Sequence, residues 1–177
     1  MRKEKIRLKD GREVIIRFLT KEDEEKLFGL FSSMSKEALR WSMAPYTREV
    51  IKRWINNLQN LIPLVAEYEG CIIGYASVFK FPHPRRKGTG DLLIYLHQDF
   101  HGVGLGNAMM KRLLKLAREQ GMHKITLYVV ADNQIAIRLY QKFGFEIEGR
   151  IRDSFFGEDG KYHDMLVMGK ILNSEDM

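Results

Sequence analysis

The sequence of 177 residues lacks the features of disulfide-linked, secreted and membrane proteins. Its single cysteine, Cys71, can form neither an internal disulfide nor a zinc site of four thiolates. No apolar run reaches the roughly 18 residues that a membrane-spanning helix requires. The stretch from Met1 to Lys5 leads into no apolar signal segment, so we expect a cytoplasmic protein that does not bind membranes.

Patterns typical of metal sites and of reactive thiols are also scarce. The sequence contains no His-Glu-x-x-His motif. His97 and His101 are four residues apart, but two histidines alone do not make a metal site, and we predict none. Cys71 lies between Gly70 and Ile72, and we predict a buried small apolar side chain there rather than a nucleophile. A mechanism through an acyl-cysteine is therefore disfavoured.

The chain carries an excess of positive charge. Lysine and arginine number 29 against 23 aspartates and glutamates, which gives a formal charge of +6 and a pI near 9.4. Such a chain attracts anions, which include nucleic acids, acidic protein surfaces and phosphate-bearing cofactors. The basic run Arg85–Lys87 has no interleaved aromatic residues, and no recognition-helix pattern accompanies it. Nucleic acid is therefore the less favoured partner.

The size and the apolar pattern indicate one globular α/β domain over residues 1–177, with a core of about 6–172. Alternating apolar spacing predicts strands at 6–8, 14–17, 63–68, 71–79, 91–96, 125–130, 145–151 and 165–172. Helical spacing predicts helices that begin after Thr20 and Thr47 and helices over 36–41, 105–120 and 133–143. Strands that alternate with helices in the middle of the chain predict a mixed sheet covered by helices.

The segment Asp99–Asn107 contains three glycines between a predicted strand and a predicted helix. Glycines let backbone N–H groups converge, and a helix N-terminus adds partial positive charge, so this segment can bind a pyrophosphate. A Walker loop is excluded because Asn107-Ala108 follows the last glycine in place of Lys-Ser/Thr. The Gly-x-Gly-x-Gly spacing also differs from the fingerprint of dinucleotide-binding folds. An ordinary strand-to-helix turn is the alternative.

Two segments together resemble the GNAT superfamily of N-acetyltransferases. His101–Gly106 is similar to the superfamily's coenzyme A pyrophosphate loop, Gln/Arg-x-x-Gly-x-Gly/Ala, with histidine at the Gln/Arg position. Asn133–Phe145 is similar to its Asn-x-x-Ala-x-x-x-Tyr-x-x-x-Gly-Phe signature. The resemblance covers roughly Leu61 to Leu172. It implies a mixed, mostly antiparallel central sheet with splayed middle strands, flanked by helices, and acetyl-CoA as the acyl donor.

The resemblance also implies which residues hold acetyl-CoA. Main-chain amides of the loop would bind the pyrophosphate, and the preceding strand would pair with the pantetheine arm through its backbone. Asn133 would cap the following helix and contact the arm. The implied cofactor-binding residues are Ile94, Tyr95, Leu96, His101, Gly102, Val103, Gly104, Leu105, Gly106, Asn107, Asn133 and Tyr140.

Attack of an amine on a thioester requires a neutral amine, donors for the oxyanion and a proton for the leaving thiolate. Tyr140 lies where the family places its general acid, and a packing role is the alternative. Asp91 begins the cofactor-binding strand, where many relatives carry a glutamate base, but it is equally a strand-end turn residue. Glu67 is the second candidate, and an amine that binds already neutral needs no base. Tyr128 stands where relatives that acetylate protein N-termini often carry a glutamate.

The acceptor is read only from a weaker resemblance. Leu8–Arg12 and the region of Glu22–Asp23 are similar to the opening of protein-lysine acetyltransferases of this superfamily, which favours a protein lysine. A small-molecule amine and a protein N-terminus are the alternatives. A basic nucleic-acid-binding module and a CoA-sensing module are the non-enzymatic ones. The sequence leaves open a monomer or a homodimer, and the use of a longer acyl-CoA.

Overall fold

The computed structural model describes residues 3–172 and contains an eight-stranded sheet with helices on both faces. The strands are β1 (Glu4–Arg7), β2 (Glu13–Phe18), β3 (Leu61–Tyr68), β4 (Cys71–Lys80), β5 (Thr89–Leu96), β6 (Lys124–Val130), β7 (Glu146–Phe156) and β8 (Tyr162–Ile171). The α-helices are α1 (Glu24–Ser33), α2 (Lys36–Leu39), α3 (Arg48–Asn56), α4 (Leu105–Glu119) and α5 (Gln134–Lys142).

The sheet is split between β5 and β6. The strand order is β1-β2-β3-β4-β5-β6-β8-β7, and β5–β6 is the parallel pair among the described strands. β5 pairs with β4 along Gly90–Leu96, but it pairs with β6 only from Thr89 to Asp91. Beyond Asp91 the two strands diverge and form a wedge that opens toward their C-terminal ends. The mixed, mostly antiparallel sheet with splayed middle strands is therefore confirmed.

The two faces of the sheet carry different helices. α4 and α5 cover one face, here called the α4–α5 face, above the larger apolar cluster. α1 and α3 pack over β3 and β4 on the opposite face, here called the α1–α3 face. The side chains of β5 divide between them: Ile94 and Leu96 pack on the α4–α5 face, and Leu93 and Tyr95 on the α1–α3 face. Because side chains alternate along a strand, Asp91 shares the α1–α3 face with Leu93 and Tyr95.

Helix α4 follows the apolar spacing closely. Leu105, Met109 and Leu113 recur every four residues and are fully buried, because they form the inner stripe of the helix. The helix ends at Glu119, and Gly121 follows with a φ of 73°, which favours glycine after a helix. Within residues 3–172, no helix is both long enough and apolar enough to cross a membrane.

Four local predictions are wrong. α2 ends at Leu39 rather than at residue 41. β7 and β8 extend over 146–156 and 162–171, because an irregularity between Ile151 and Phe155, with a φ of 49° at Asp153, interrupts the apolar alternation that marks a strand. Cys71 is exposed rather than buried, because it is the first residue of β4 directly after the turn at Gly70.

Candidate active site

The glycine loop bends the chain from the end of β5 into α4. Gly102 and Gly104 have φ angles of 73° and 93°, which residues with a Cβ adopt only under strain. Gly104 caps α4, so the first turn of that helix leaves backbone N–H groups without partners inside the helix. These amides and the positive end of the helix make an anion site where the sequence predicted one.

The third glycine allows three elements to meet closely. A Cβ on Gly106 would lie 3.2 Å from Leu96 Cδ1 of β5 and 3.5 Å from Leu139 Cδ2 of α5. The first of these contacts is tighter than side chains normally tolerate. Gly106 therefore lets the start of α4 approach the end of β5 and the middle of α5, which brings the two resemblance motifs together.

The β1–β2 turn supports the loop from outside. The Lys9 amide donates to the Val103 carbonyl over 3.0 Å, and Arg12 Nη2 donates to the Asp99 carbonyl over 2.7 Å. The Arg12 guanidinium also lies 3.8 Å from the centre of the Phe100 ring. Sequence reasoning predicted the hairpin from Asp10-Gly11 but not its contact with the loop, because a turn motif does not specify what the turn packs against.

A basic cleft of about 520 Å³ lies beside the loop, between the β1–β2 hairpin, α4 and the end of α5. Its charged lining residues are Arg7, Lys9, Lys111 and Lys142. Asn107 also lines the cleft, and its side-chain oxygen is buried without a hydrogen-bond partner in residues 3–172. Buried polar atoms are normally satisfied, so this oxygen points to a hydrogen bond with a ligand or solvent. The cations and loop amides suit the phosphates of coenzyme A.

His101 braces the loop rather than extending it. Its ring Nε2 lies 2.9 Å from the carbonyl oxygen of Leu96, and its amide donates to the carbonyl of Gln98 over 3.1 Å. The imidazole is therefore tied to the end of β5. Both the imidazole and the amide of His101 are thus engaged within the protein, and its contact with the cofactor stays a prediction.

Main-chain groups of β5 line the open part of the wedge. Residues 92–96 pair with β4 along one edge and have no β6 partner along the other. Backbone N–H and C=O groups alternate between the edges of a strand, so part of those in 92–96 point into the wedge. An extended chain such as pantetheine can bind there as an added strand. Ile94, Tyr95 and Leu96 can contact it through the backbone, because their side chains pack in the two apolar clusters.

Tyr140 of α5 is a buried phenol with no hydrogen-bond partner in the described part of the chain. It is 7% exposed, and its ring packs edge-on against Phe145 at 6.0 Å. Burial raises the pKa of Tyr140 to about 12, so the hydroxyl keeps its proton at neutral pH. Asn133 begins the same helix, and its side-chain oxygen accepts the Ala136 amide over 3.3 Å. Capping leaves the Asn133 amide group for another partner.

Asp91 and Glu67, the two predicted bases, differ in their surroundings. Asp91 lies at the narrow end of the wedge opposite Thr126, and burial raises the pKa of its carboxyl, with Arg86 opposing in part. Glu67 lies two strands from β5, on β3, where its Oε2 accepts Arg17 Nη2 over 2.6 Å. This hydrogen bond holds the pKa of Glu67 below its usual value. The structure thus assigns Glu67 to an ion-pair network and does not bring it to the wedge.

Tyr95 carries a hydrogen bond that the sequence did not indicate. The hydroxyl of Tyr46, from the segment between α2 and α3, lies 2.6 Å from the Tyr95 hydroxyl. Burial raises the pKa of Tyr95 well above its usual value, and Tyr46 and Tyr140 add to the effect.

Residues 23–145 match the sequence pattern of the protein family described as the acetyltransferase (GNAT) family. The chain belongs to the GNAT family of acetyltransferases. The matched range includes the glycine loop and the segment Asn133–Phe145, so the resemblance based on these two motifs is confirmed. The members of this family are described as acetyltransferases, and acetyl-CoA as acyl donor is consistent with that family.

Solved structures agree with the fold. A GNAT-family acetyltransferase from Streptococcus pneumoniae has a TM-score of 0.80 and 26% identity, and the match covers 90% of this chain and 99% of that one. Ribosomal-protein-alanine N-acetyltransferase from Brucella melitensis has a TM-score of 0.77 and 29% identity, with 89% and 99% covered.

Curated relatives match over shorter ranges. L-amino acid N-acetyltransferase AaaT of Escherichia coli is 29% identical over 109 residues, which are 61% of this chain and 67% of the relative. L-methionine sulfoximine/L-methionine sulfone acetyltransferase of Pseudomonas aeruginosa is 32% identical over 91 residues, 51% of this chain and 53% of the relative. Spermine/spermidine N(1)-acetyltransferase of Bacillus subtilis is 34% identical over 101 residues, 54% and 65%. The chain thus spans about half the length of the Pseudomonas relative.

Proposed function

We propose that this GNAT protein transfers an acetyl group directly from acetyl-CoA to the primary amine of a small molecule of the amino-acid class. The wedge between β5 and β6 carries the proposal. Its α4–α5 side presents the glycine loop and the protonated phenol of Tyr140, and its α1–α3 side presents the carboxyl of Asp91. A thioester held along β5 would thus lie between an acid and a base.

In the proposed reaction a C–N bond forms and the C–S bond of the thioester breaks. The lone pair of the neutral amine attacks the carbonyl carbon, and negative charge develops on the carbonyl oxygen. A main-chain N–H in residues 92–96 that has no β6 partner can donate to that oxygen. The sulfur leaves with the electron pair of the C–S bond, and the nitrogen loses its extra proton.

Tyr140 is proposed as the donor of a proton to the leaving sulfur. A thiol has an ordinary pKa of about 8.5, and that of Tyr140 is about 12, so the phenol is protonated when the thiolate forms. The Tyr140 hydroxyl has no hydrogen-bond acceptor within residues 3–172, so none of these residues competes for its proton. The phenol regains its proton from solvent after the thiol departs.

Asp91 is proposed as the acceptor of the amine proton, directly or through a water molecule. Burial raises the pKa of its carboxyl, which makes the carboxylate a stronger base than an exposed aspartate. Its position on the α1–α3 face is opposite to the helices that hold the donor. The acceptor can therefore reach the thioester from the side that acetyl-CoA does not occupy.

The amino-acid class is favoured by the names of the relatives together with the charge of the chain. Two of the relatives named above act on amino acids or their analogues, and one acts on the polyamines spermine and spermidine. A net charge of +6 attracts a substrate that carries a carboxylate and repels a polycation.

A protein N-terminus is the second candidate acceptor. The Brucella relative, which matches most of this chain, is named for an alanine of a ribosomal protein. A protein lysine, which the resemblance of Leu8–Arg12 favoured, gains no further support. Lys9 and Arg12 bind the glycine loop, and this segment is accordingly used on the cofactor side.

An acetylation panel tests the proposal. The protein is incubated with acetyl-CoA and L-amino acids, methionine sulfoximine, spermidine, a lysine peptide or a peptide with N-terminal alanine. Thiol release gives the rate, and mass spectrometry identifies the product. The highest kcat/KM is expected for an amino acid or an analogue. Acetylation restricted to peptides or to spermidine would contradict the acceptor class, and binding of acetyl-CoA without any product would contradict the transferase.

A further inference from the structure

Trp41 connects the two elements that flank the wedge on the α1–α3 face. Its ring lies 5.0 Å from the ring of His163 and 6.1 Å from that of Phe155, centre to centre. The residues just before Trp41, in α2, pack on the α1–α3 cluster, whereas Phe155 and His163 belong to β7 and β8. Because β6 lies between β5 and β8, this contact spans the α1–α3 face above β6.

The contact lies at the open end of the wedge. Met165 pairs with Val130 at the C-terminal end of β6, and His163 lies two residues further out. β5 runs parallel to β6, so its C-terminal end lies on the same side. Gln98, just beyond β5, holds the α1–α2 connection there by accepting the Ser35 amide over 3.1 Å. Trp41 is therefore fixed near the mouth through which an acceptor would enter.

His163 is held by carboxylates from two further segments. Its Nδ1 lies 2.7 Å from Asp132 Oδ2, just after β6, and its Nε2 lies 3.1 Å from both oxygens of Asp159, in the β7–β8 turn. Only a protonated imidazole donates from both nitrogens. Trp41 packs edge-on against the imidazole, and the Arg40 guanidinium lies 4.6 Å from the centre of the Trp41 ring. The ring of His163 is thus fixed on three sides.

We propose that Trp41, positioned by His163 and its two aspartates, is the wall that limits acceptor size, so that the closed contact admits a small amine and excludes a lysine within a peptide. The size limit rests on the proposed transferase activity, whereas the positioning of Trp41 by His163 does not. An amine attached to a peptide brings flanking residues to the mouth of the wedge, where Trp41, Phe155 and His163 already pack. A free amino acid has no such flanks.

The contact between Trp41 and His163 is expected to loosen as the pH rises. The hydrogen bonds that the imidazole donates to Asp159 and to Asp132 raise the pKa of His163 above its usual 6.5, with Asp159 the larger cause. Below that raised pKa the imidazolium bonds both carboxylates. As the pH rises through it, one nitrogen loses its proton and one of the two links, so the contact with Trp41 loosens. Preference for small amines is accordingly expected to weaken at alkaline pH.

Tryptophan fluorescence tests the positioning without any turnover. The chain has two tryptophans, so Trp54→Phe leaves Trp41 as the reporter. A protonated imidazole quenches a neighbouring indole, and emission should rise with a midpoint above pH 6.5. Asp159→Asn should move the midpoint to lower pH, and His163→Asn should remove the transition. A pH-independent emission, or one that His163→Asn leaves unchanged, would overturn the positioning.

Kinetics test the size limit. Trp41→Ala should raise the KM of the preferred amino acid about tenfold with a smaller change in kcat. It should also raise the peptide-to-amino-acid ratio of kcat/KM at least tenfold, and Trp41→Phe should restore most of the selectivity. Met43→Ala is the matched control, because Met43 is two residues further along the chain and is 65% exposed. An unchanged ratio in Trp41→Ala would overturn the size limit.

The two parts fail separately. If the wild-type protein acetylates no amine, the proposed function is contradicted and the size limit falls with it. The fluorescence titration of the same protein would still support or overturn the positioning of Trp41 by His163.

Discussion

The two sides of the wedge are built by different means. The proposed cofactor side consists largely of two continuous segments, the glycine loop and Asn133–Phe145, whose shapes follow from glycine conformations and helix caps. The proposed acceptor side draws Trp41, Asp91 and His163 from three separate parts of the chain. One side presents mainly backbone to its ligand, and the other presents side chains. A short motif can therefore encode the first, whereas only the folded sheet assembles the second.

The largest effect is expected from a side chain placed in the glycine loop. Gly104→Asp places a carboxylate at a φ of 93° and beside the proposed pyrophosphate site. Strain of about 1–2 kcal/mol and repulsion of phosphate should abolish acetyl-CoA binding. The measurement is the rise in melting temperature that acetyl-CoA causes, which should vanish.

Gly121→Asp separates backbone strain from loss of binding. Gly121 has a φ of 73° and open space around it, but it follows the far end of α4. Both variants should lose stability, and only Gly104→Asp should lose the response to acetyl-CoA. Retention of that response in Gly104→Asp would remove the loop from the binding site.

The next largest effect is expected where the cofactor side contributes a side chain to the chemistry. Tyr140→Phe should leave acetyl-CoA binding intact, because the loop amides remain, and should lower kcat about 100-fold through loss of the general acid. Tyr162→Phe is the control, since Tyr162 is 66% exposed at the start of β8. Equal turnover in the two variants would refute the role of Tyr140.

On the acceptor side, Asp91→Asn should act through the pH profile. In the proposed mechanism activity requires the carboxylate, so kcat/KM should fall as the pH decreases through the pKa of Asp91, which burial places above its ordinary 3.8. The variant should lose this acid limb and about tenfold in kcat/KM at neutral pH, since an amine that arrives neutral needs less help.

Glu67→Gln provides the matched comparison for Asp91. Arg17 lowers the pKa of Glu67 from its ordinary 4.5, so its carboxylate stabilises the fold above about that pH and the effect is lost as the pH falls. The variant should lower the melting temperature at neutral pH and leave the acid limb in place. If the acid limb survives in Asp91→Asn and disappears in Glu67→Gln, Glu67 rather than Asp91 is the base.

The sequence predicts the features of this molecule that are local, and it does not predict contacts between distant residues. The stripe Leu105, Met109 and Leu113 and the loop Gly102–Gly106 were predictable, because helical spacing and positive φ angles are local properties. The ion pair of Arg17 with Glu67 joins residues 50 positions apart, and the bond of Tyr46 with Tyr95 joins residues 49 apart. Such contacts depend on the order of strands in the sheet, which no local pattern states. Glu67 was a candidate base because the sequence does not show its ion pair with Arg17.

The smallest effect is expected from Lys9. It tests whether binding of the cofactor depends only on the glycine loop and Asn133–Phe145. Lys9 comes from the β1–β2 turn, and its stem passes 3.7 Å from where a Cβ of Gly104 would lie. Lys9→Met keeps the stem and removes the charge. If the ammonium meets a phosphate of coenzyme A, the KM for acetyl-CoA should rise about fivefold at low salt and less at high salt, with kcat unchanged.

Lys115→Met is the control, because Lys115 lies on α4, is 60% exposed and faces Glu119 at 3.9 Å. Equal KM values in the two variants would mean that backbone and helix α4 hold the donor without the hairpin. A rise confined to Lys9→Met would mean that even the side encoded by a continuous motif takes part of its affinity from a distant segment.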